Sequence, residues 1–164
     1  MNAFSYLSVL LSIILGLAIT QVLQGYRGLL LSRSRVAVYL PPLIWSALML
    51  VFVTQSWWAS FGLADHQEWT FATFSIILLQ TVLLYMMAAV VLPDTAGSEP
   101  IDLRAHYYDQ VKPFFGLSLA MLAASVAKDW MLDSRLPEGL NLAFHLFYAA
   151  LASVAMLVRH PRLH

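Results

Sequence analysis

Asn141 and His145 stand four residues apart, so any helix that contains them presents both on one face. An imidazole and a carboxamide placed this way can hold a small polar solute. Gln55, Lys128 and Asp129 offer further hydrogen-bonding and charged groups from other parts of the chain. If all five residues lie at the same depth of a helical bundle, they line a shallow polar cavity. Ionisable groups at membrane depth are costly and usually face a bundle interior or a wet space. The plainer reading scatters them. Lys128 then snorkels to the headgroups, Asp129 pairs with Lys128 or Arg135, and His145 bonds a carbonyl in the core.

Other chemistry finds little support. There is no Gly-x-Ser-x-Gly elbow, no His-Glu-x-x-His and no phosphate loop, so no catalytic residue is assigned. Gly25 and Gly28 flank Tyr26 and Arg27, but no strand precedes them to make a nucleotide fingerprint. Asp65 and His66 are an acid/base pair by type, and they read as a solvated turn. The chain has no cysteine, which excludes disulfides, Cys-zinc sites and iron–sulfur clusters. Of the five histidines only His145 falls inside an apolar stretch, one ligand short of the pair a bis-His haem needs. His160 and His164 have a ligand-like spacing but straddle Pro161. No metal and no cofactor are expected.

A second pattern runs through the first apolar stretch. Ser8, Ser12, Gly16, Thr20 and Gln24 recur every four residues, and Gly28 extends the series. Small side chains let another helix approach closely in lipid. The stripe is read as packing inside the bundle or as a homo-oligomer interface.

The elements that must position these residues are membrane spans. The chain has 164 residues, 60% hydrophobic and 11% charged, against about a quarter charged in a soluble domain. The apolar residues come in five blocks, about 4–24, 41–63, 69–92, 113–132 and 139–158. Each holds roughly 20 residues, enough to cross ~30 Å of hydrocarbon. The first block has no positive flank and no Ala-x-Ala site, so it reads as a retained span and not a cleaved signal. The segment at about 100–112 places Ile101, Ala105, Tyr108 and Val111 at helical spacing and reads as a short amphipathic helix on the membrane surface. The expected fold is an all-α integral membrane protein: one domain over 1–164, a bundle of five transmembrane helices plus this interfacial helix.

Charge sets an orientation. With the first loop in the cytoplasm, Arg27, Arg33, Arg35, Arg104, Lys112, Arg159 and Arg162 fall inside, and Lys128 and Arg135 outside. The positive-inside rule then places the N-terminus outside and the C-terminus in the cytoplasm. Trp57, Trp58, Phe61, Trp69 and Trp130 become anchors at the outer face; Tyr26, Tyr39, Tyr107 and Tyr108 lie near the inner one. This depth map puts Gln55, Lys128, Asp129, Asn141 and His145 together in the outer leaflet. The net charge of zero gives no general attraction to nucleic acid.

The stretches 6–17, 102–108, 114–117 and 140–146 together resemble a group of small multi-pass bacterial inner-membrane proteins. The resemblance implies a location and no catalytic residues. The expected function is non-enzymatic: a membrane bundle, oligomeric or part of a larger complex, that binds or passes a small solute. A small channel or transporter using the outer polar cluster is the alternative, although five spans give no even inverted repeat. An intramembrane enzyme or cofactor protein has the least support. The expected partners are the lipid bilayer and a second copy or another membrane subunit.

Overall fold

The structure is a computed structural model that describes residues 3–66, 68–134 and 136–157. It is all-helical apart from two short strands. Five helices are long and apolar enough to cross a membrane: α1 (Ala3–Leu31), α2 (Leu40–Ala59), α3 (Phe71–Val90), α4 (Leu103–Asp133) and α5 (Gly139–Leu157). Arg135, Arg159, Arg162, His160 and His164 lie outside the described residues, so the charge balance and the tail spacing read above have no structural counterpart here.

Local chemistry explains where the helices start and stop. Pro41 and Pro42 sit in the first turn of α2, where a missing N–H costs nothing. Thr70 caps α3 through a capping box: its hydroxyl accepts from the Thr73 N–H at 3.1 Å, and the Thr73 hydroxyl accepts from the Thr70 N–H at 3.0 Å. The Asp102 carboxylate opens α4 by accepting from the N–H groups of Arg104 and Ala105 at 2.8 and 3.1 Å. Ser134 ends α4 in the left-handed conformation, its N–H bonded to the Trp130 carbonyl.

One expectation fails at α4. The segment 100–112 does not form a separate surface helix; it is the first part of a continuous 31-residue helix that runs through Pro113. Proline removes one backbone bond and costs about 3 kcal/mol in a helix interior. Tyr107, Val111, Phe114 and Phe115 lie on both sides of it and are all buried on one face. Each such side chain is worth about 1.5–3 kcal/mol relative to exposure, so their burial outweighs the break. At 1.5 Å per residue α4 is about 46 Å long, well beyond ~30 Å of hydrocarbon. α1, with 29 residues, overshoots in the same way.

The two overshoots meet at one end of the bundle, here the closed end. There β1 (Val36–Ala37) and β2 (Ile101–Asp102) pair in parallel, Val36 opposite Ile101 and Ala37 opposite Asp102. Arg35 ties the same loops together, donating to the carbonyls of Glu99 at 2.6 Å and Thr95 at 3.4 Å and to the Ser32 hydroxyl at 3.1 Å. Ser46 donates to the Tyr26 hydroxyl at 2.8 Å, joining α1 to α2. α1 also meets the chain beyond α3 closely: a Cβ on Gly25 would lie 2.7 Å from Leu92 Cδ1, and a Cβ on Gly28 would overlap the Thr95 side chain. α3 packs most extensively against α4 and α1, and α5 packs against α4.

The tyrosines expected near the inner face pack against one another at this end. Tyr39 and Tyr107 approach to 5.8 Å between ring centroids, and Tyr107 and Tyr108 to 5.5 Å. One layer deeper, Trp45 meets Phe114 and Phe115 edge-on at 5.3 and 5.2 Å. Edge-on aromatic pairs fill space densely, and these two layers plug the closed end.

Gly28 is therefore a tight contact, whereas a Cβ on Gly16 meets nothing within 4 Å. Gly28→Ala is expected to lower stability by roughly 1–3 kcal/mol through overpacking, and Gly16→Ala to leave it unchanged or slightly raised by helix propensity. Thermal unfolding of the two variants in the same detergent makes the comparison, and equal midpoints would refute the packing described.

Candidate functional site

At the opposite end the bundle is open. All five helices present residues to a common space, and the spacing of the residues explains why. On α2 the face is Phe52, Gln55, Ser56 and Ala59; on α5 it is Asn141, Phe144, His145 and Tyr148. Both follow the i, i+3, i+4, i+7 rule for one side of a helix. α4 contributes Ser118, Met121, Leu122, Ser125 and Lys128, and α3 contributes Ile77, Gln80 and Thr81. Leu11 and Leu15 of α1 complete the wall. The cavity measures about 490 Å³, within the range of sites that take a small organic molecule. From Lys128 to Ser118 it follows ten residues of α4, about 15 Å along the axis. The lining also reaches Met87 of α3, and on the closed-end side of Ser118 Trp45 packs edge-on against Phe114 and Phe115.

Of the five residues read from the sequence, four line this cavity: Gln55, Lys128, Asn141 and His145. Asp129 does not. Successive residues on a helix point about 100° apart, so Asp129 cannot share the face of Lys128. Its carboxylate instead lies 3.6 Å from Lys128 Nζ, beside the mouth. That contact matches the plainer reading of Asp129, while its partner Lys128 belongs to the lining.

His145 is 8% exposed. Its Nδ1 lies 2.7 Å from the carbonyl of Asn141, one turn earlier in α5. A carbonyl only accepts, so Nδ1 carries the proton and donates. Nε2 is buried and has no hydrogen-bond partner among the described residues. A buried polar atom left unpaired costs about 1–3 kcal/mol, and such atoms are rare in folded proteins. A ligand that bonds Nε2 recovers that cost.

The sequence reading missed Gln80, Thr81, Ser118, Ser125 and Tyr148. The signal was present on α4, where 118, 125 and 128 share a face, and was obscured because serines are common in spans as packing residues. Two of these hydroxyls are already satisfied by their own helix: Thr81 donates to the Ile77 carbonyl at 2.9 Å and Ser118 to the Phe115 carbonyl at 2.8 Å. Thr54, next to Gln55, faces away from the bundle and donates to the Leu50 carbonyl at 2.8 Å.

The small-residue stripe is not gathered at any site within the chain. Ser12, Gly16, Thr20 and Gln24 are exposed on the outer side of α1, and Ser8 is half-buried. Thr20 donates to the Gly16 carbonyl at 2.8 Å, and Ser8 to the Ser5 carbonyl at 3.0 Å. The face of α1 that packs inward is Leu7, Leu11, Leu15, Ala18 and Val22. Packing within one chain therefore does not use the stripe. A strict four-residue repeat also turns about 40° per step on a helix of 3.6 residues per turn, which is why Gly28 ends up buried while Gly16 is not. Asp65 and His66 lie in a turn between α2 and α3, where Trp69 Nε1 donates to the His66 carbonyl at 2.8 Å. No group of three metal-ligating side chains occurs among the described residues.

Because the chain has no cysteine, single cysteines report on accessibility directly. Ser125→Cys, in the cavity wall, is expected to react with a small water-soluble methanethiosulfonate many times faster than Leu84→Cys, which sits in the fully buried core. Equal rates would mean that the cavity is closed in solution. Comparison of the chain with protein families, with curated proteins and with solved structures finds no match.

Proposed function

We propose that this protein is a non-enzymatic multi-pass component of a bacterial inner membrane that binds a small solute in a cavity open to the outer side. The observation that carries the reading is the convergence of Gln55, Lys128, Asn141 and His145 on one cavity, with His145 Nε2 left unpaired among the described residues. Charge supports the sidedness. Arg27, Arg33, Arg35, Arg104 and Lys112 all belong to the closed end, which makes that end cytoplasmic and the cavity mouth external. Trp57, Trp58, Phe61 and Trp130 are exposed around the open end, where indole and phenyl rings anchor a bundle at the headgroups. The aromatic plug favours binding over free passage, because a channel needs a route past Trp45 and Phe115. The exposed stripe on α1 leaves a surface for a second copy or another membrane subunit.

Two measurements test the reading. In intact cells, a membrane-impermeant thiol reagent is expected to label Ser125→Cys, and to label Ser34→Cys only after permeabilisation; the reverse pattern would overturn the orientation. Protein purified under native conditions is expected to carry a small molecule detectable by mass spectrometry and absent from Leu122→Trp, whose indole fills the cavity. The same small-molecule content in both proteins would sink the binding role.

A further inference from the structure

We infer that the cavity takes a single-chain amphiphile from the membrane itself, its head bearing a hydroxyl and an anionic oxygen. This rests on the binding role proposed above and names its ligand class. Three observations lead to it. The first is a lateral opening. α2 and α5 both line the cavity, yet α5 packs on α4 and makes no extended contact with α2. Gln55 and Phe144 line the space and are exposed, Phe144 by 58%. The side of the cavity between α2 and α5 is the one through which an acyl chain would enter. A solute arriving from water needs no such opening.

The second is the divided lining. Lys128, Asn141 and His145 of α4 and α5 are polar, while Leu11, Leu15 and Ile77 of α1 and α3 form an apolar wall. That division gives the head and the chain of an amphiphile separate partners. The volume of about 490 Å³ suits one chain and a small head.

The third is the head chemistry. With its Nδ1–H committed to the Asn141 carbonyl, the Nδ1–H tautomer of His145 offers a lone pair at Nε2. It asks for a donor, and a hydroxyl supplies one. Lys128 Nζ stands 3.6 Å from the nearest Asp129 oxygen, too far for a strong hydrogen bond, so its N–H groups can serve an anionic oxygen at the mouth. A polyol phosphate joined to one acyl chain satisfies both.

The experiment uses the full chain in lipid vesicles and a lysophosphatidylglycerol probe with a diazirine at the end of its chain. After photolysis, label is expected on Leu15 and Ile77, which the fold shields from surrounding lipid, besides the lipid-facing Leu17 and Val51. His145→Ala should cut the label on Leu15 and Ile77 by roughly five- to tenfold, the worth of one buried hydrogen bond. Unchanged label on Leu17 and Val51 verifies that the variant is inserted and folded. Lys128→Gln should reduce capture of this probe but not of the matching monoacylglycerol, which lacks the phosphate. Label confined to Leu17 and Val51 overturns the inference. If free glycerol phosphate displaces the probe from Leu15 and Ile77 as well as unlabelled lysolipid does, the cavity still binds a solute but the amphiphile is wrong.

Discussion

A polar side chain can sit at membrane depth only where other helices shield it from hydrocarbon or enclose water around it. The open half of this bundle is organised by that constraint. Gln55, Gln80, Ser125, Lys128, Asn141 and His145 come from four helices, and each would be costly facing lipid alone. Turned toward one another they share a space that none of the helices could fill. His145 shows the limit of the arrangement. Its own helix satisfies Nδ1 through the Asn141 carbonyl, and nothing among the described residues satisfies Nε2.

The two ends of the bundle solve different packing problems. At the closed end Gly25 and Gly28 admit Leu92 and Thr95 against the α1 backbone, and interlocked aromatic rings fill the space between helices. Arg35 and the two short strands then fasten the loops. At the open end α5 packs on α4 and makes no extended contact with α2 among the described residues. Local opening comes from regions with few packed contacts, and α5 has fewer than its neighbours.

Much of this was legible in the residues. Five apolar blocks predicted five helices, because crossing a bilayer demands about 20 uninterrupted apolar residues. The depth map derived from Lys and Arg placement grouped Gln55, Lys128, Asn141 and His145, and these four share the cavity. What escaped depends on rotation and on tertiary packing. Depth cannot tell Lys128 from Asp129, and only the helical turn between them does. The spacing of the α1 stripe predicted a packing face, yet nothing in a single segment says which face its neighbours will choose; the larger Leu7, Leu11 and Leu15 were chosen. Pro113 read as a boundary because the buried aromatic residues on either side of it act only once α4 packs on its neighbours. Tyr39, Tyr107 and Tyr108 read as anchors by type and became a plug by position.

The cavity is proposed to be open on one side and occupied by a ligand from the membrane. An experimental structure in lipid nanodiscs would show that occupant. Non-protein density is expected to run from His145 toward Leu15, to reach the bilayer between α2 and α5 and to stop at Trp45. A bundle with α5 collapsed onto α2 and no space between them, or an open path continuing past Trp45 to Tyr39, would contradict the proposal.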